Sequence, residues 1–255
     1  MLLEHMAWAG VERAVLLQGP FYGEANNFVA DAVRQWPTRF VGAAHLDPCA
    51  PSARRKFLHL KDRLGFRIFK FEMSVGTGLV GLYPNLRLDG PEMTWIWEVA
   101  EEEGLVITLD LGSAGSASYQ TAGVATMVER HPHLRVVIAH LGQPPVSQRA
   151  DRQLDREWEQ QLRLAEYPNV WLDLAGLPAY AAGEDYPFPS LAPYLRRAVE
   201  LVGAHKLMWG TDLPALMRFG TYPQLLQCIM THFAYLTADQ QAQIFGGTAM
   251  QVYWG

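Results

Sequence analysis

Two short stretches of the chain place one ionisable residue directly after an apolar run. In VVIAHLGQPP, His140 ends such a run and Gly142 follows, a residue that lets a ligand or another backbone approach closely. In LMWGTDLP, Asp212 follows the apolar run and Pro214 closes the turn. Imidazole and carboxylate groups move protons in many enzymes. The two stretches therefore indicate acid–base chemistry.

Polar residues at the ends of other apolar runs extend this pattern: Gln18, His45, Asp47, Lys70, Glu72, Asp110 and Asp173. A single Asp at such a position is explained by its capping the next helix. The joint arrangement is less easily explained, because clustered carboxylates repel one another unless a cation or protons compensate. We therefore expect several of these groups to share one pocket.

The elements that would position these residues are short apolar runs separated by helical segments. Runs such as RVVIA and LVITL do not alternate between apolar and polar residues, which indicates parallel strands buried on both faces. A helix is predicted from residue 2, ended by Gly10. The predicted strands are Arg13–Gln18, Phe40–Leu46, Phe66–Phe71, Leu105–Leu109, Leu134–Ala139, Val170–Leu174 and Leu207–Gly210.

The connections that leave the strands are longer than those that enter them. Examples are SVGTGLVGLYPNLRLDG and PAYAAGEDYPFPS, against EG, HPH and YPN before strands. Long loops at the carboxyl ends are typical of a (β/α) barrel with its active site there, although a doubly wound sheet shares the feature. No Gly-rich phosphate-binding motif follows the first strand. With no linker in the chain, we expect one α/β domain over residues 1–255.

Composition narrows the classes of function. The 255 residues carry a formal net charge of −5 and no cluster of Lys or Arg, which argues against a nucleic-acid surface. No apolar run is long enough to span a membrane, and Glu4 and His5 interrupt the only candidate signal segment. Cys49 and Cys228 read as free thiols. A cytoplasmic enzyme or binding protein for a small molecule, with no nucleic-acid or membrane partner, is the expectation.

The stretches AHLG and WGTDLP, together with GVERAVLLQ near the start and FGGTAMQVYW at the end, resemble the amidohydrolase-related branch of the amidohydrolase superfamily. The resemblance runs along essentially the whole chain. It implies a TIM-type (β/α) barrel with one divalent metal, usually zinc or manganese. It also implies decarboxylase, hydratase or lactonase chemistry on small carboxylated or aromatic acids.

In that family, the metal is bound by an H-x-H pair on the first strand, a histidine on the fifth and an aspartate on the eighth. Asp212 matches the eighth-strand aspartate, His140 matches a sixth-strand histidine, and Asp110 stands at the fifth-strand position. The only H-x-H spacing, at residues 131–133, precedes a strand and is expected on the opposite face. The opening helix corresponds to the family's first helix. We therefore expect an incomplete barrel with seven family strands, either a truncated reading of a longer gene or a natural variant.

The expected site follows from this comparison. Asp110, His140 and Asp212, joined by Glu72, would form an oxygen-rich metal set that favours manganese or magnesium over a tight zinc site, or the metal would be absent. As catalytic residues, Asp212 would activate a water, His140 would exchange a proton with the reacting oxygen, and Lys70 would hold a substrate carboxylate. Alternatively, Lys70 is a buried stem with a paired head, and Glu72 is its partner.

Three functions remain open from the sequence. The first is an amidohydrolase-like enzyme that hydrolyses an ester, lactone or amide, or decarboxylates, a small carboxylated or aromatic acid. The second is a noncatalytic barrel that serves as a ligand-binding or interaction scaffold, and the third is a metal-independent hydrolase. An incomplete barrel exposes strand edges and apolar surface, which predicts a homo-oligomer.

Overall fold

The computed structural model of the protein describes residues 1–148 and 150–255. Within them, seven parallel strands form one sheet in sequence order, as a curled half-barrel. The strands are β1 (Ala14–Leu16), β2 (Phe40–His45), β3 (Ile68–Glu72), β4 (Val106–Asp110), β5 (Arg135–Ile138), β6 (Val170–Asp173) and β7 (Leu207–Met208). Each predicted strand is confirmed, with ends that differ by up to two residues, and so is the α/β barrel-type class.

Helices connect the strands, and most of them pack on the outer face of the sheet. They are α1 (Leu2–Ala9), α2 (Asn26–Gln35), α3 (Ala53–Leu58), α4 (Leu79–Leu82), α5 (Pro91–Glu102), α6 (Thr121–Arg130), α7 (Arg152–Leu162), α8 (Leu191–Val202), α9 (Tyr222–His232), α10 (Ala238–Ala242) and α11 (Thr248–Tyr253). The opening helix ends where the sequence predicts, because Gly10 adopts a left-handed φ of 72°. No helix among the described residues is both long and apolar enough to cross a membrane.

The two faces of the sheet belong to different clusters of buried side chains. The outer face packs on the helices in the main core, which includes Phe69, Ile107 and Val136. Alternate residues point inward, so Ile68 and Val106 belong to a smaller inner cluster. Burial on both faces explains why the strand sequences lack alternation.

Helix α11 closes the inner space at the amino ends of the strands. Val252 belongs to the inner cluster, and the Tyr253 hydroxyl lies 3.2 Å from Oγ1 of Thr108. Arg135 at the start of β5 donates to the carbonyls of Val252 and Gly255, at 2.8 and 3.0 Å. The last residues of the chain therefore form the floor beneath the inner face.

The opening helix brings the two end strands of the sheet into one apolar cluster. Met6 of α1 is fully buried and packs with Tyr222 of α9 and Phe40 of β2. Leu16 of β1 and Leu213, which follows β7, pack against the same cluster. Helix α1 therefore joins the segments beside β1 and β7 by packing against both.

Candidate active site

The inward-facing residues at the carboxyl ends of the strands form the wall of one large cleft. Register pairs Lys70 with Thr108 and Glu72 with Asp110, so consecutive polar layers lie above the apolar inner cluster. The cleft encloses about 1480 Å³ and is bordered by residues of β1 and β7. Its lining includes all the candidate site residues, Lys70, Glu72, Asp110, His140 and Asp212, and also Asp173. The expectation that these groups share one pocket agrees with this geometry.

Asp110 and His140 form a buried ion pair at the centre of the group. Nε2 of His140 lies 3.1 Å from Oδ2 of Asp110. Burial alone would lower the pKa of His140, but the hydrogen bond and negative charge of Asp110 raise it to about 10. Burial likewise acts to raise the pKa of Asp110, and the hydrogen bond and charge of His140 override it and hold that pKa well below its usual range. The imidazole is therefore a cation in the folded protein at neutral pH.

Glu72 shares the Asp110 side chain. Burial, followed by the negative charge of Asp110 and a hydrogen bond with it, raises the pKa of Glu72 to about 7. Its Oε1 accepts a hydrogen bond from the backbone N–H of Ser74 at 3.3 Å. Glu72 consequently keeps a proton far more readily than an ordinary glutamate, and that proton lies between the two carboxyl groups.

Asp173 fixes the backbone around His140. Its Oδ1 accepts hydrogen bonds from the N–H of His140 at 2.9 Å and from the N–H of Ala175 at 3.0 Å. Nδ1 of His140 lies 2.9 Å from the carbonyl oxygen of Ala175. Because a carbonyl only accepts, Nδ1 carries a proton, and Nε2 is the nitrogen that faces the cleft and Asp110. Asp173 therefore anchors the loop that carries His140.

Asp212 approaches His140 from the loop after β7. A Cβ placed on Gly176 would lie 3.0 Å from Nδ1 of His140 and 3.4 Å from Oδ2 of Asp212, so a side chain at residue 176 would crowd both. Gly176 also has a left-handed φ of 77°, for which glycine is suited. Burial raises the pKa of Asp212, against the positive charges of His140 and Lys70. The carboxyl group is thereby a stronger base than an exposed aspartate.

Lys70 is buried but is not neutralised by a neighbouring side chain. It is 7% exposed, and none of the ion pairs among the described residues includes it. Glu72 bonds to Asp110, while the charge of Lys70 acts on it from nearby, so the pairing of Lys70 with Glu72 stays a prediction. A buried ammonium group on the cleft wall is therefore available to an anionic or polar group of a ligand.

Two of the polar strand-end positions hold the scaffold together, and one of them, Gln18, also lines the cleft. Asp47 accepts hydrogen bonds from the N–H of Cys49 at 2.9 Å and from the Tyr83 hydroxyl at 2.8 Å. Gln18 donates to Asn26 and to the carbonyl of Ala43, which ties β1 to β2. Burial lowers the pKa of His45, whose Nδ1 has no hydrogen-bond partner among the described residues. These contacts favour a structural role for the HLDP segment at residues 45–48.

The H-x-H spacing before β5 is not part of the cleft. Nδ1 of His131 lies 2.8 Å from Oε2 of Glu101, and the N–H of His133 donates to the same carboxylate at 2.9 Å. Both residues lie at the amino end of the strand, away from the site. The expected placement on the opposite face is therefore right.

Two residues of the site have no counterpart among the sequence-based candidates. The Gln143 side-chain amide donates to Oδ1 of Asp110 at 2.8 Å. The Tyr180 ring lies 6.5 Å from the His140 ring, and burial and the nearby charges of Asp110 and Asp212 raise its pKa well above the usual value. Gln143 stands in the stretch VVIAHLGQPP, and Tyr180 lies in the long loop PAYAAGEDYPFPS. Nothing in residue type or spacing separated either from its neighbours.

The donor set does not form a ready-made metal site. Among the described residues, no three His, Cys, Asp or Glu side chains are arranged so that they could hold one ion. Both oxygens of Asp110 already accept hydrogen bonds, and the nitrogen of His140 that faces the cleft points at one of them. A metal bound by Asp110, His140, Asp212 and Glu72 would have to break this pair, so these residues do not fit a metal as they stand. Their role as ligands stays a prediction.

Comparison with known proteins agrees with the geometry. The family model described as Amidohydrolase matches residues 1–254. The chain belongs to the amidohydrolase family. The resemblance given by the AHLG and WGTDLP stretches is thereby confirmed.

A curated relative whose sequence is similar to that of this amidohydrolase is the L-fucono-1,5-lactonase of Burkholderia ambifaria (strain ATCC BAA-244 / DSM 16087 / CCUG 44356 / LMG 19182 / AMMD). It is 34% identical over 261 residues, which cover 97% of this chain and 82% of the relative.

Solved structures share the fold at lower identity. An amidohydrolase of Burkholderia multivorans with bound HEPES has a TM-score of 0.81 at 18% identity, over 99% of this chain and 87% of that chain. A second crystal form of it, with bound zinc, has a TM-score of 0.79 at 18% identity, over 99% and 87% of the two chains. A probable 2-pyrone-4,6-dicarboxylic acid hydrolase of Acinetobacter baumannii has a TM-score of 0.74 at 18% identity, over 100% and 88%. One of these solved structures therefore contains zinc.

Proposed function

We propose that this amidohydrolase is a lactonase, which hydrolyses the cyclic ester of a small hydroxy acid such as a sugar acid. The observation that carries the proposal is the buried Asp110–His140 ion pair beside Asp212, in a cleft that also presents Lys70. On one wall of the cleft, His140 supplies an imidazolium cation, Asp212 supplies a carboxylate whose pKa is raised, and Lys70 supplies an ammonium group. The 34% identity to an L-fucono-1,5-lactonase supports the substrate class.

In the proposed reaction, Asp212 is the base. Its carboxylate takes a proton from a water molecule while the water oxygen attacks the carbonyl carbon of the lactone. Burial raises the pKa of Asp212, which makes the carboxylate a better proton acceptor. The base and the cationic imidazole both lie close to Gly176, where a side chain would crowd them.

His140 and Lys70 act on the oxygens of the lactone. As the carbonyl oxygen becomes an oxyanion, the Lys70 ammonium group stabilises it or a neighbouring carboxylate of the substrate. When the carbon–oxygen bond breaks, the Nε2–H of the His140 imidazolium turns from Asp110 to the ring oxygen and gives it that proton. The product is the open hydroxy acid, and the proton held by Asp212 returns to His140, directly or through solvent, which restores both groups. Asp110 stabilises the imidazolium and orients it.

None of these steps is assigned to a metal, because the donor set does not fit one as it stands. We propose a metal-independent reaction for this chain, although a family structure contains zinc.

The test is acid release from a panel of sugar-acid lactones, beginning with L-fucono-1,5-lactone, at constant pH with a correction for spontaneous hydrolysis. We expect Asp212→Asn to lower kcat by about 10²–10⁴-fold, the range for a lost general base. Asp47→Asn is the matched control, since Asp47 also follows a strand but bonds to Tyr83 and Cys49. Chelator-treated protein should keep its rate.

Three results would contradict the proposal or a part of it. Equal rates in the wild-type protein and Asp212→Asn would remove the base from the mechanism. A wild-type protein that hydrolyses no lactone but still binds sugar acids would support the noncatalytic scaffold instead. A rate that chelators abolish and zinc or manganese restores would replace the metal-independent reaction with a metal-assisted one.

A further inference from the structure

The segment that carries His140 has an unusual backbone. Four consecutive residues, His140, Leu141, Gly142 and Gln143, have φ values of 58°, 53°, 63° and 52°. They form one turn of left-handed helix, closed by a hydrogen bond of 2.8 Å from the N–H of Gln143 to the carbonyl of His140. Only Gly142 adopts such angles without a clash between Cβ and the backbone, so the other three residues are strained. The surrounding structure must compensate for that strain.

The left-handed turn explains how two side chains reach one carboxylate. Residues three apart in a tight turn lie on the same side of it. His140 and Gln143 are three apart, and both bond to Asp110, through Nε2 to Oδ2 at 3.1 Å and through Nε2 to Oδ1 at 2.8 Å. The turn thus holds both oxygens of the carboxylate.

Two buried side chains outside the turn donate hydrogen bonds to the carbonyl groups of its two middle residues. The indole N–H of Trp158 on α7 donates to the carbonyl of Leu141 at 2.8 Å. The hydroxyl of Tyr119, in the loop before α6, donates to the carbonyl of Gly142 at 2.6 Å. Trp158 and Tyr119 are buried, as are both carbonyl-bearing residues, so water is a poor substitute for either donor.

We infer that Tyr119 and Trp158 are positioning residues, which keep residues 140–143 left-handed so that His140 and Gln143 hold Asp110 together. Neither side chain is assigned a contact with substrate. The consequence for rate rests on the proposed lactonase function, whereas the consequence for the His140–Asp110 hydrogen bond does not. The two parts can therefore be tested separately.

The variants are Tyr119→Phe and Trp158→Phe, which remove one donor each and leave an aromatic ring. Tyr83→Phe and Trp97→Phe are matched controls. The Tyr83 hydroxyl donates to Asp47 at 2.8 Å, and the buried Trp97 indole donates to the carbonyl of Leu88 at 2.9 Å, both outside the turn. Tyr119→Phe deletes a single oxygen atom, so it is the variant that keeps the test interpretable should Trp158→Phe fail to fold.

The first readout needs no substrate. The imidazole N–H protons of His140 give downfield proton NMR signals that are assigned by their loss in His140→Gln. We expect their exchange with water to become about tenfold faster or more in Tyr119→Phe and Trp158→Phe, and to stay unchanged in the controls. Unchanged signals in both variants would overturn the inference, even if thermal stability fell, because the two residues would then act in packing alone.

The second readout is the kinetics of lactone hydrolysis. A displaced imidazole should lower kcat by about tenfold to a hundredfold with a smaller change in KM, since orientation for the chemical step is lost while the cleft remains. A wild-type protein without lactonase activity would refute the proposed function and leave the NMR result intact. Faster N–H exchange with kcat unchanged would confine the role of the turn to structure and overturn its link to catalysis.

Discussion

At the scale of single residues, repulsion between neighbouring carboxylates decides which groups of the site carry a proton. Glu72, Asp110 and His140 form a chain in which one proton lies between the two carboxyl groups and another on the imidazole. Three ionised carboxylates, with Asp212, would repel one another without those protons. The proton on Glu72 and the charge on His140 therefore have a common cause, which is the strongly depressed pKa of Asp110.

The raised pKa of Glu72 predicts a stability that falls with pH. The folded protein binds a proton at Glu72 up to about pH 7, while the unfolded chain releases it near 4.5, so the free energy of unfolding decreases as pH rises through this window. We expect a loss of roughly 2–3 kcal/mol between the two limits. Glu72→Gln should abolish this part of the slope, whereas exposed Glu98→Gln should keep it. Urea unfolding across pH 4.5–7 measures it, and parallel profiles for wild type and Glu72→Gln would contradict the raised pKa.

Lys70 controls the basicity of Asp212. Its positive charge lowers the pKa of Asp212, against the larger effect of burial. Removing the charge by Lys70→Met should raise that pKa, so Asp212 becomes protonated at higher pH. The acid limb of kcat/KM for lactone hydrolysis should then move to higher pH than in the wild type. Lys61→Met, which loses an ammonium group paired with Asp62 and Glu103, should leave the limb in place. A limb that moves to lower pH in Lys70→Met would contradict the assignment.

At the scale of elements, the sequence was informative where one physical rule decides the outcome. Apolar runs without alternation indicated all seven strands, and Gly10 indicated the end of the first helix, because burial on two faces and a left-handed cap leave local signals. The direction of the strands then implied that Asp110, His140 and Asp212 share a pocket. These features depend only on the identity and order of residues along the chain.

Other features of the site depend on contacts between distant segments and had no local signal. The left-handed turn over residues 140–143 carries only one glycine, and the donors that hold it come from Tyr119 and Trp158. Likewise, whether Glu72 bonds to Lys70 or to Asp110 depends on where the side chains of two neighbouring strands lie. Periodicity and residue type do not specify either outcome.

The contact between β5 and the end of the chain predicts a stability effect without an effect on the site. The Arg135 guanidinium donates to the carbonyls of Val252 and Gly255 and, at 2.9 Å, to that of Gly104. Arg135→Met should lower the free energy of unfolding by about 1–3 kcal/mol, because these hydrogen bonds come from a charged donor. Thermal and urea unfolding measure it, with Arg67→Met, which is exposed, as the control expected within about 0.5 kcal/mol of wild type. A kcat that fell as far as in Asp212→Asn would show that the floor is not separate from the site.

At the scale of the whole molecule, the cleft is open along one side of the sheet. Strands β1 and β7 are the two ends of the described sheet, each paired with one neighbour, and residues beside both border the cleft. The α1 cluster joins the segments beside them without adding a strand. Unpaired strand edges and exposed apolar side chains are surfaces that proteins usually cover.

This open side carries the prediction of a homo-oligomer. Phe21 and Phe28 border the cleft and are 71% and 76% exposed, and Val75, which also lines the cleft, is exposed as well. We expect purified protein to have a light-scattering mass at least twice that of the chain, because a second copy would remove these side chains from water. Phe28→Asp should reduce that mass by placing a charge in the contact. Leu58→Asp, an exposed leucine outside the cleft lining, should not. A monodisperse monomer over a wide range of concentration would contradict the prediction, and the exposed phenylalanines would then be accounted for as the apolar rim that receives the substrate.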